Sequence, residues 1–431
     1  MSNEWKKNRG EKTVLGFKPI TYYSSLITIL SITMFIALCP LTVQAAFEWQ
    51  PRLLLREEFT DNLFLDAYDE ESDFITTIAP GILLQYDARL VELKLDYSLH
   101  FLDYLHHDEK DETSLKDTQR ISFRGVLLPS QDFSLTVLDE YQRVTIDDRR
   151  QLVEDNPFVN KSNRNLLVVN PEYRCRHFDT FVPTVGYQYE RADYDKPEGD
   201  DYHRHEFYAD LEKQFNPRLT ATIGYRHSLY QARDEEDYKR QDATARLAYQ
   251  LSPSLALRAG VGSAWINYRE RSDEQAMTWN LALDWQPKTR WEGGLSYLED
   301  FTDSVDGGLT KTRQAEAFIR HLDLLPWELL VFAEKQDYQT EDREDRSVGL
   351  NGTLGFPFTN RLILDLTGEV SLWRFLPEKE DVVRYGAGLA LNYQMKYGTI
   401  TVGYRYRESN SDVDENDYQN NLGYVQVVLR F

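Results

Sequence analysis

From Phe47 onward, apolar residues recur along the chain with a period of two. In the clearest stretch, Val91, Leu93, Leu95, Tyr97, Leu99 and Phe101 alternate with Glu92, Lys94, Asp96, Ser98 and His100. Successive side chains of a strand point to opposite faces, so this pattern predicts a two-faced β-strand. The same alternation returns at Leu219 to Tyr225, Leu255 to Val261, Leu362 to Leu366, Val383 to Leu391 and Val425 to Phe431. No stretch sustains a helical period over comparable length.

The connections alternate as well. Compact turns rich in Asn, Pro, Ser and Asp fall at Asp87-Ala88, Pro129 to Gln131, Arg176 to Asp179, Asn216-Pro217, Ser252 to Ser254, Pro287 to Thr289, Leu322 to Pro326, Pro357 to Asn360 and Gln394 to Lys396. Between them lie longer acidic segments: Asp66 to Ser72, His106 to Asp117, Asp147 to Ser162, Ala192 to Tyr202, Gln231 to Lys239 and Glu270 to Glu274. Four more run Thr302 to Thr310, Gln339 to Asp345, Pro377 to Asp381 and Glu408 to Asp417. Short turns alternating with long loops mark a transmembrane barrel with spans of about 9–11 residues. The fold class expected is all-β, a single large transmembrane antiparallel up-and-down β-barrel of about 18–20 strands.

In such a barrel the apolar face meets lipid and the polar face lines the lumen. Arg226, Arg246, Arg258, Arg384, Arg405 and Arg407 are the lumen-lining candidates, with inward acids such as Glu92, Asp96, Asp365 and Glu369 expected to pair across strands. A soluble β-sandwich or propeller would reverse the two faces. Trp279, Trp285, Trp291, Trp327 and Tyr393 near strand ends fit interfacial girdles and favour the membrane.

The first residues add an address. Lys6, Lys7, Arg9, Lys12 and Lys18 precede an apolar stretch from Leu26 to Leu38, then Pro40 and Val43-Gln44-Ala45, the order of a Sec-type signal peptide. The organisation expected is a cleavable signal at 1–45 and a barrel at 46–431. Leu38 is too bulky for a lipoprotein site at Cys39, and without Cys39 only Cys175 remains, so no internal disulfide can form. Charged residues make up 28% of the chain and aromatics 13%, too polar for a helical membrane protein and too aromatic for a disordered one. Removing the signal takes the net charge from −22 to −25, which argues against nucleic acid as a partner.

Two stretches carry a resemblance. After the signal come Pro51 to Leu55, Glu57-Glu58-Phe59-Thr60-Asp61-Asn62, an acidic loop, Ser72 to Ile75 and Ala79-Pro80-Gly81-Ile82. This resembles the opening of the outer-membrane β-barrel porins associated with exopolysaccharide and exosortase (PEP-CTERM) systems, and Thr60, Asp61, Asn62, Pro80 and Gly81 carry the likeness. The last strand, Tyr424 to Phe431, looks like the terminal strand of outer-membrane proteins, whose final aromatic is the signal for the barrel-assembly machinery. The resemblance implies a Gram-negative-type outer membrane, contact with its lipid and lipopolysaccharide, and polysaccharide-export components as partners. Within the motif, Asp61 and Asn62 read first as a turn ending the first strand, and second as a ligand site.

Catalytic and metal chemistry finds little support in the sequence. His106-His107 with Asp103 and Asp108 would suit a hydrolase at the barrel rim, but no nucleophile motif accompanies them. His203 and His205 with Asp200 and Asp201 would suit a divalent cation, and a rim position explains them as well. Neither enzyme nor cofactor is expected. The function expected is passage or export of hydrophilic solutes, an exopolysaccharide among them, with a non-conducting surface-assembly component as the alternative. Intact-mass measurement of the protein extracted from outer membranes should show a chain beginning at Ala46; an uncleaved chain would remove the signal assignment.

Overall fold

The computed structural model describes residues 46–129, 131–146, 161–178, 180–195, 199–305, 308–339 and 342–431. The signal expected at 1–45 lies outside them, as does most of the segment from Asp147 to Ser162.

The strands are β1 (Ala46–Thr60), β2 (Asp73–Ala88), β3 (Val91–Leu99), β4 (Phe101–Tyr104), β5 (Gln119–Leu127), β6 (Phe133–Thr145) and β7 (Lys161–Arg174). There follow β8 (Phe181–Tyr194), β9 (Tyr202–Asn216), β10 (Leu219–Ala232), β11 (Tyr238–Ser252), β12 (Leu255–Tyr268), β13 (Glu274–Lys288) and β14 (Trp291–Asp303). The last seven are β15 (Leu309–His321), β16 (Trp327–Tyr338), β17 (Arg343–Pro357), β18 (Leu362–Leu376), β19 (Glu380–Met395), β20 (Gly398–Ser411) and β21 (Tyr418–Arg430). Both β3 and β4 pair with β2, so they are two segments of one stave interrupted at His100. Each stave pairs antiparallel with the next, and β1 pairs with β21 from Arg52–Arg430 to Thr60–Leu422. The result is a closed antiparallel up-and-down barrel of 20 staves.

Its outer wall is apolar. Cross-strand neighbours Leu211–Ile223, Val261–Trp279 and Leu281–Tyr297 continue through Val331–Leu350, Leu350–Val370, Leu389–Tyr404 and Val402–Val425 to Leu55–Val427. Most of these side chains are exposed, Ile223 at 59% and Val402 at 50%. An apolar belt of that extent has lipid as its natural solvent. The inward positions between them are polar or small, as at Asp210–Gly224 and Thr244–Gly262.

Two expectations are corrected. Apart from β5, with nine residues, every stave has 12 to 16 rather than 9–11. Parts of the acidic loops are therefore strand: Glu408 to Ser411 belong to β20, Arg343 to Asp345 to β17, and Thr302-Asp303 to β14. Charge made these residues look like loop, but beyond the hydrocarbon a paired strand carries charge readily, as at Arg374–Asp381 across β18 and β19 (2.7 Å). The loop asymmetry is also uneven. Outer loops 61–72 and 105–118 are long, whereas from β10 onward none exceeds six residues.

The seam between first and last strands is clasped by the motif Thr60-Asp61-Asn62. The Asn62 amide donates to Asp66 O (2.8 Å) and Gln419 O (3.0 Å), and its Oδ1 accepts from the Asp66 N–H (2.9 Å). Asn420 donates to Thr60 Oγ1 (2.6 Å) and Asn62 O (2.9 Å), while Asp61 accepts from the backbone (2.7 Å) and side chain (2.6 Å) of Asn421. Asn62 is fully buried. The turn reading of these residues thus extends to joining the chain's two ends. Gly81 serves the same region: a Cβ there would lie 2.8 Å from Arg52 Nε, so its absence lets the Arg52 guanidinium cross β2 to Asp96 on β3 (2.8 Å). Pro80 beside it faces outward. Phe431 is 66% exposed, its N–H bonded to Pro51 O (3.0 Å).

Replacing Asn62 by Leu would strand three backbone groups in a dry seam, and should cost about 2–4 kcal/mol. Urea unfolding in lipid vesicles, followed by tryptophan fluorescence, measures it; a loss under about 1 kcal/mol would show that the clasp holds nothing.

Candidate functional site: a charged chamber in the lumen

Strands β7 to β14 curve around a chamber of about 860 Å³. Alternation turns one face of each strand into it: Glu172 from β7, Glu190 from β8, Arg204, Glu206, Tyr208 and Asp210 from β9, Arg226 from β10, and Arg240, Asp242 and Arg246 from β11. Asp300 and Asp303 reach it from the outer end of β14. Seven carboxylates and four guanidinium groups share the lining.

The charges are matched locally. Arg204 bridges Glu190 (2.6 Å) and Asp303, and Arg240 bridges Asp242 (2.8 Å) and Asp300 (2.7 Å) while donating to Phe301 O (2.8 Å). Arg246 pairs with Asp210 (2.8 Å) and Arg226 lies 4.0 Å from Glu206. Hydroxyls complete the network, with Tyr208 donating to Glu172 (2.9 Å), Tyr202 to Glu190 (2.7 Å) and Tyr238 to Asp303.

Of the arginines singled out from sequence, Arg226 and Arg246 line this chamber, and Arg258 pairs with Asp284 (2.7 Å). Arg384, Arg405 and Arg407 belong to the opposite sector of the ring. Arg384 lies over the Trp373 ring (5.1 Å) and Arg407 sits 3.6 Å from Glu369. Arg405 neighbours Leu422 across the sheet. Arg226, Arg246 and Arg258 each have a carboxylate beside them, and carboxylates outnumber guanidinium groups in the chamber lining.

Two segments fold inward over the outer end of the lumen. In loop 61–72, Leu63 packs on Ile75 and Tyr104, and Leu65 on Tyr418, all on inward faces. The outer end of β14 inserts Phe301, and that of β15 inserts Leu309, into a cluster with Tyr230, Tyr238, Ala264 and Ile266. Sequence reasoning missed this second segment because Thr302 to Thr310 reads as one more acidic loop. The available signal was the recurrence of tyrosine at strand ends: Tyr202, Tyr230 and Tyr238 stack in a row (Tyr230–Tyr238 at 4.6 Å), with Tyr268 tilted against Tyr238.

The rim histidines have partners other than those expected. His107 places Nδ1 2.7 Å from Asp73 and Nε2 2.6 Å from Glu71, and His106 bonds Asp73 through its backbone N–H (3.0 Å), so neither is held by Asp103 or Asp108. His203 bonds Gln231 (2.8 Å) and His205 bonds Tyr187 (2.6 Å), away from Asp200, which accepts from the Asp234 (3.0 Å) and Glu235 (3.2 Å) N–H groups.

Fold and lining together define a class: a transmembrane β-barrel with an ion-paired, polar lumen. Solved structures of similar architecture include the siderophore receptor PirA from Pseudomonas aeruginosa (TM-score 0.52, 10% identity, covering 89% of this chain and 80% of that one). PirA from Acinetobacter baumannii is similar (0.52, 8%, 89% and 80%), as is a mutant of the ferric enterobactin receptor PfeA from Pseudomonas aeruginosa in complex with enterobactin (0.52, 10%, 90% and 82%). At such identity the likeness is one of fold. No family model and no curated protein matches the chain.

Asp73 first, and then Glu71, hold the His107 imidazolium above its ordinary range by hydrogen bonding. A folded-state pKa raised in this way stabilises the inter-loop clasp fully below about pH 6.5, and the contribution is lost as pH rises through the raised value. Hydrogen exchange at Leu63, whose N–H bonds Glu71 O (2.7 Å), should show protection that declines as pH rises above about 6.5, after correction for intrinsic rates. His107→Phe should flatten that dependence.

Proposed function

We propose that the chain is an outer-membrane conduit for hydrophilic solutes. The observation that carries this is the pairing of an apolar, exposed outer wall with a polar lumen in a closed ring of 20 staves. Barrels of sixteen to eighteen strands already enclose an aqueous channel, so a ring this size has room for passage. Within that reading, neutral or zwitterionic polyhydroxylated solutes suit the chamber better than strong anions. Tyrosines and ion pairs offer both donors and acceptors, and the carboxylate excess repels negative charge. An exported polysaccharide segment is one such solute, and PEP-CTERM-associated export is the system the N-terminal resemblance suggests. The similar structures are receptors for siderophores and ferric enterobactin, and a shared fold gives no ligand to this chain.

A second reading, a non-conducting surface component, is favoured by the two segments folded over the outer mouth. No catalytic role is proposed, because the rim histidines are engaged in tying loop 105–118 to Glu71 and Asp73.

Planar-bilayer recording separates the readings. The conduit predicts single-channel current, with neutralisation of Glu206 and Asp210 to Gln and Asn lowering cation over anion preference. Silence in every variant, with folding verified by heat-modifiable gel mobility, would favour the structural component.

A further inference from the structure

We infer that the outer end of β14 is a gate with two docking sites, latched across the lumen in this structure and able to zip onto the free outer edge of β13. The inference rests on the conduit reading for its purpose but not for its test.

The register between β13 and β14 runs from Trp285–Gly293 to Trp279–Glu299 and stops there. Beyond it, Glu274 to Thr278 of β13 lie outside the β14 ladder; β12 pairs with them from Ile266–Glu274 to Gly262–Thr278. Asp300 to Asp303 remain paired with β15, from Asp300–Thr312 to Asp303–Leu309. The outer end of β14 has therefore parted from β13 beyond Glu299 and turned into the lumen, while β15 keeps its pairing with β16 out to Thr310–Tyr338.

Its landing place is specific. Ala264 and Ile266 occupy inward positions of β12 that would otherwise face the lumen, yet both are 0% exposed beneath Phe301 and Leu309. Asp303 reaches Arg204 and Tyr238, Asp300 and Phe301 O reach Arg240, and the Asp200 N–H meets Val305 O (3.4 Å). The contacts to Arg204, Tyr238 and Arg240 are charge-assisted and span three to five staves, which an ordinary hairpin continuing the wall could not make.

The alternative site is equally defined by register. Extending the ladder beyond Trp279–Glu299 would place Asp300 opposite Thr278, Phe301 opposite Met277, Thr302 opposite Ala276 and Asp303 opposite Gln275. Met277 is outward and 49% exposed, so Phe301 would exchange its inner cluster for the apolar outer wall. The β13 edge would gain backbone partners from β14, and β14 would give up its contacts with Arg204, Tyr238 and Arg240. Two packings of one segment, each with burial and hydrogen bonds of its own, form the kind of bistable element on which gating depends.

The test places a reporter under the latch. Ala264→Cys, in a Cys175→Ser background, is labelled from outside with a membrane-impermeant maleimide in proteoliposomes, with and without Asp303→Asn. Asp303→Asn keeps the shape of the latch and removes its charge. Labelling is expected to accelerate by roughly tenfold or more, as a minor open state becomes populated. Arg240→Gln provides a second latch variant should Asp303→Asn misfold by gel mobility. Equal labelling rates in latched and unlatched proteins would overturn the gate, whatever current is recorded. Faster labelling with raised conductance supports both gate and conduit; faster labelling with silence in bilayers supports the gate and removes the conduit.

Discussion

A backbone amide surrounded by hydrocarbon has no water to bond to, and every other feature of this molecule follows from meeting that constraint. Twenty staves meet it only if the sheet has no edge at membrane depth, which makes the pairing of β1 with β21 the contact on which the rest depends. The two strands are at opposite ends of the described chain, so their meeting is the costliest in loop entropy. The buried clasp of Thr60, Asp61 and Asn62 with Gln419, Asn420 and Asn421 stands at its outer end. Polar side chains there are bonded rather than solvated, which makes the register of closure specific.

Closure leaves an interior that must be polar on a ring too wide for its own side chains to fill. Charge is the means, and it is arranged in pairs: Arg204, Arg240 and Arg246 each hold carboxylates from neighbouring or distant staves. Such pairs satisfy one another in a partly desolvated lumen and leave only the carboxylate excess as net charge. The same chemistry holds the end of β14 across the chamber, where Asp300 pairs with Arg240 and Asp303 with Arg204.

The outer mouth is accordingly built from two inward segments of different character. Loop 61–72 is anchored by leucines against inward side chains, with Leu65 at a positive φ of 58° that its burial against Tyr418 compensates. The end of β14 is anchored by ion pairs to Arg204 and Arg240 as well as by Phe301 in the apolar cluster. An apolar anchor on one side and an anchor that adds ion pairs on the other give the mouth an asymmetry that the ring of staves alone would lack.

The period-two alternation and the spacing of turns determined the all-β barrel, a count of about 18–20 strands and the face each residue takes, because a strand's side-chain direction is a local property. Arg226 and Arg246 were legible for that reason. What only the tertiary structure decided is which charges meet. Arg204 and Asp303 are 99 residues apart, and no local pattern marks Thr302 to Thr310 as different from the other acidic segments. Strand ends were misjudged on the same ground: charge signals loop in an isolated segment, whereas a neighbouring strand supplying the counter-charge turns the same residues into paired sheet. The seam motif lies between these cases. Asp61 and Asn62 announced a turn by their own chemistry, but their partners, Asn420 and Asn421, became visible only once the chain had come round to meet itself.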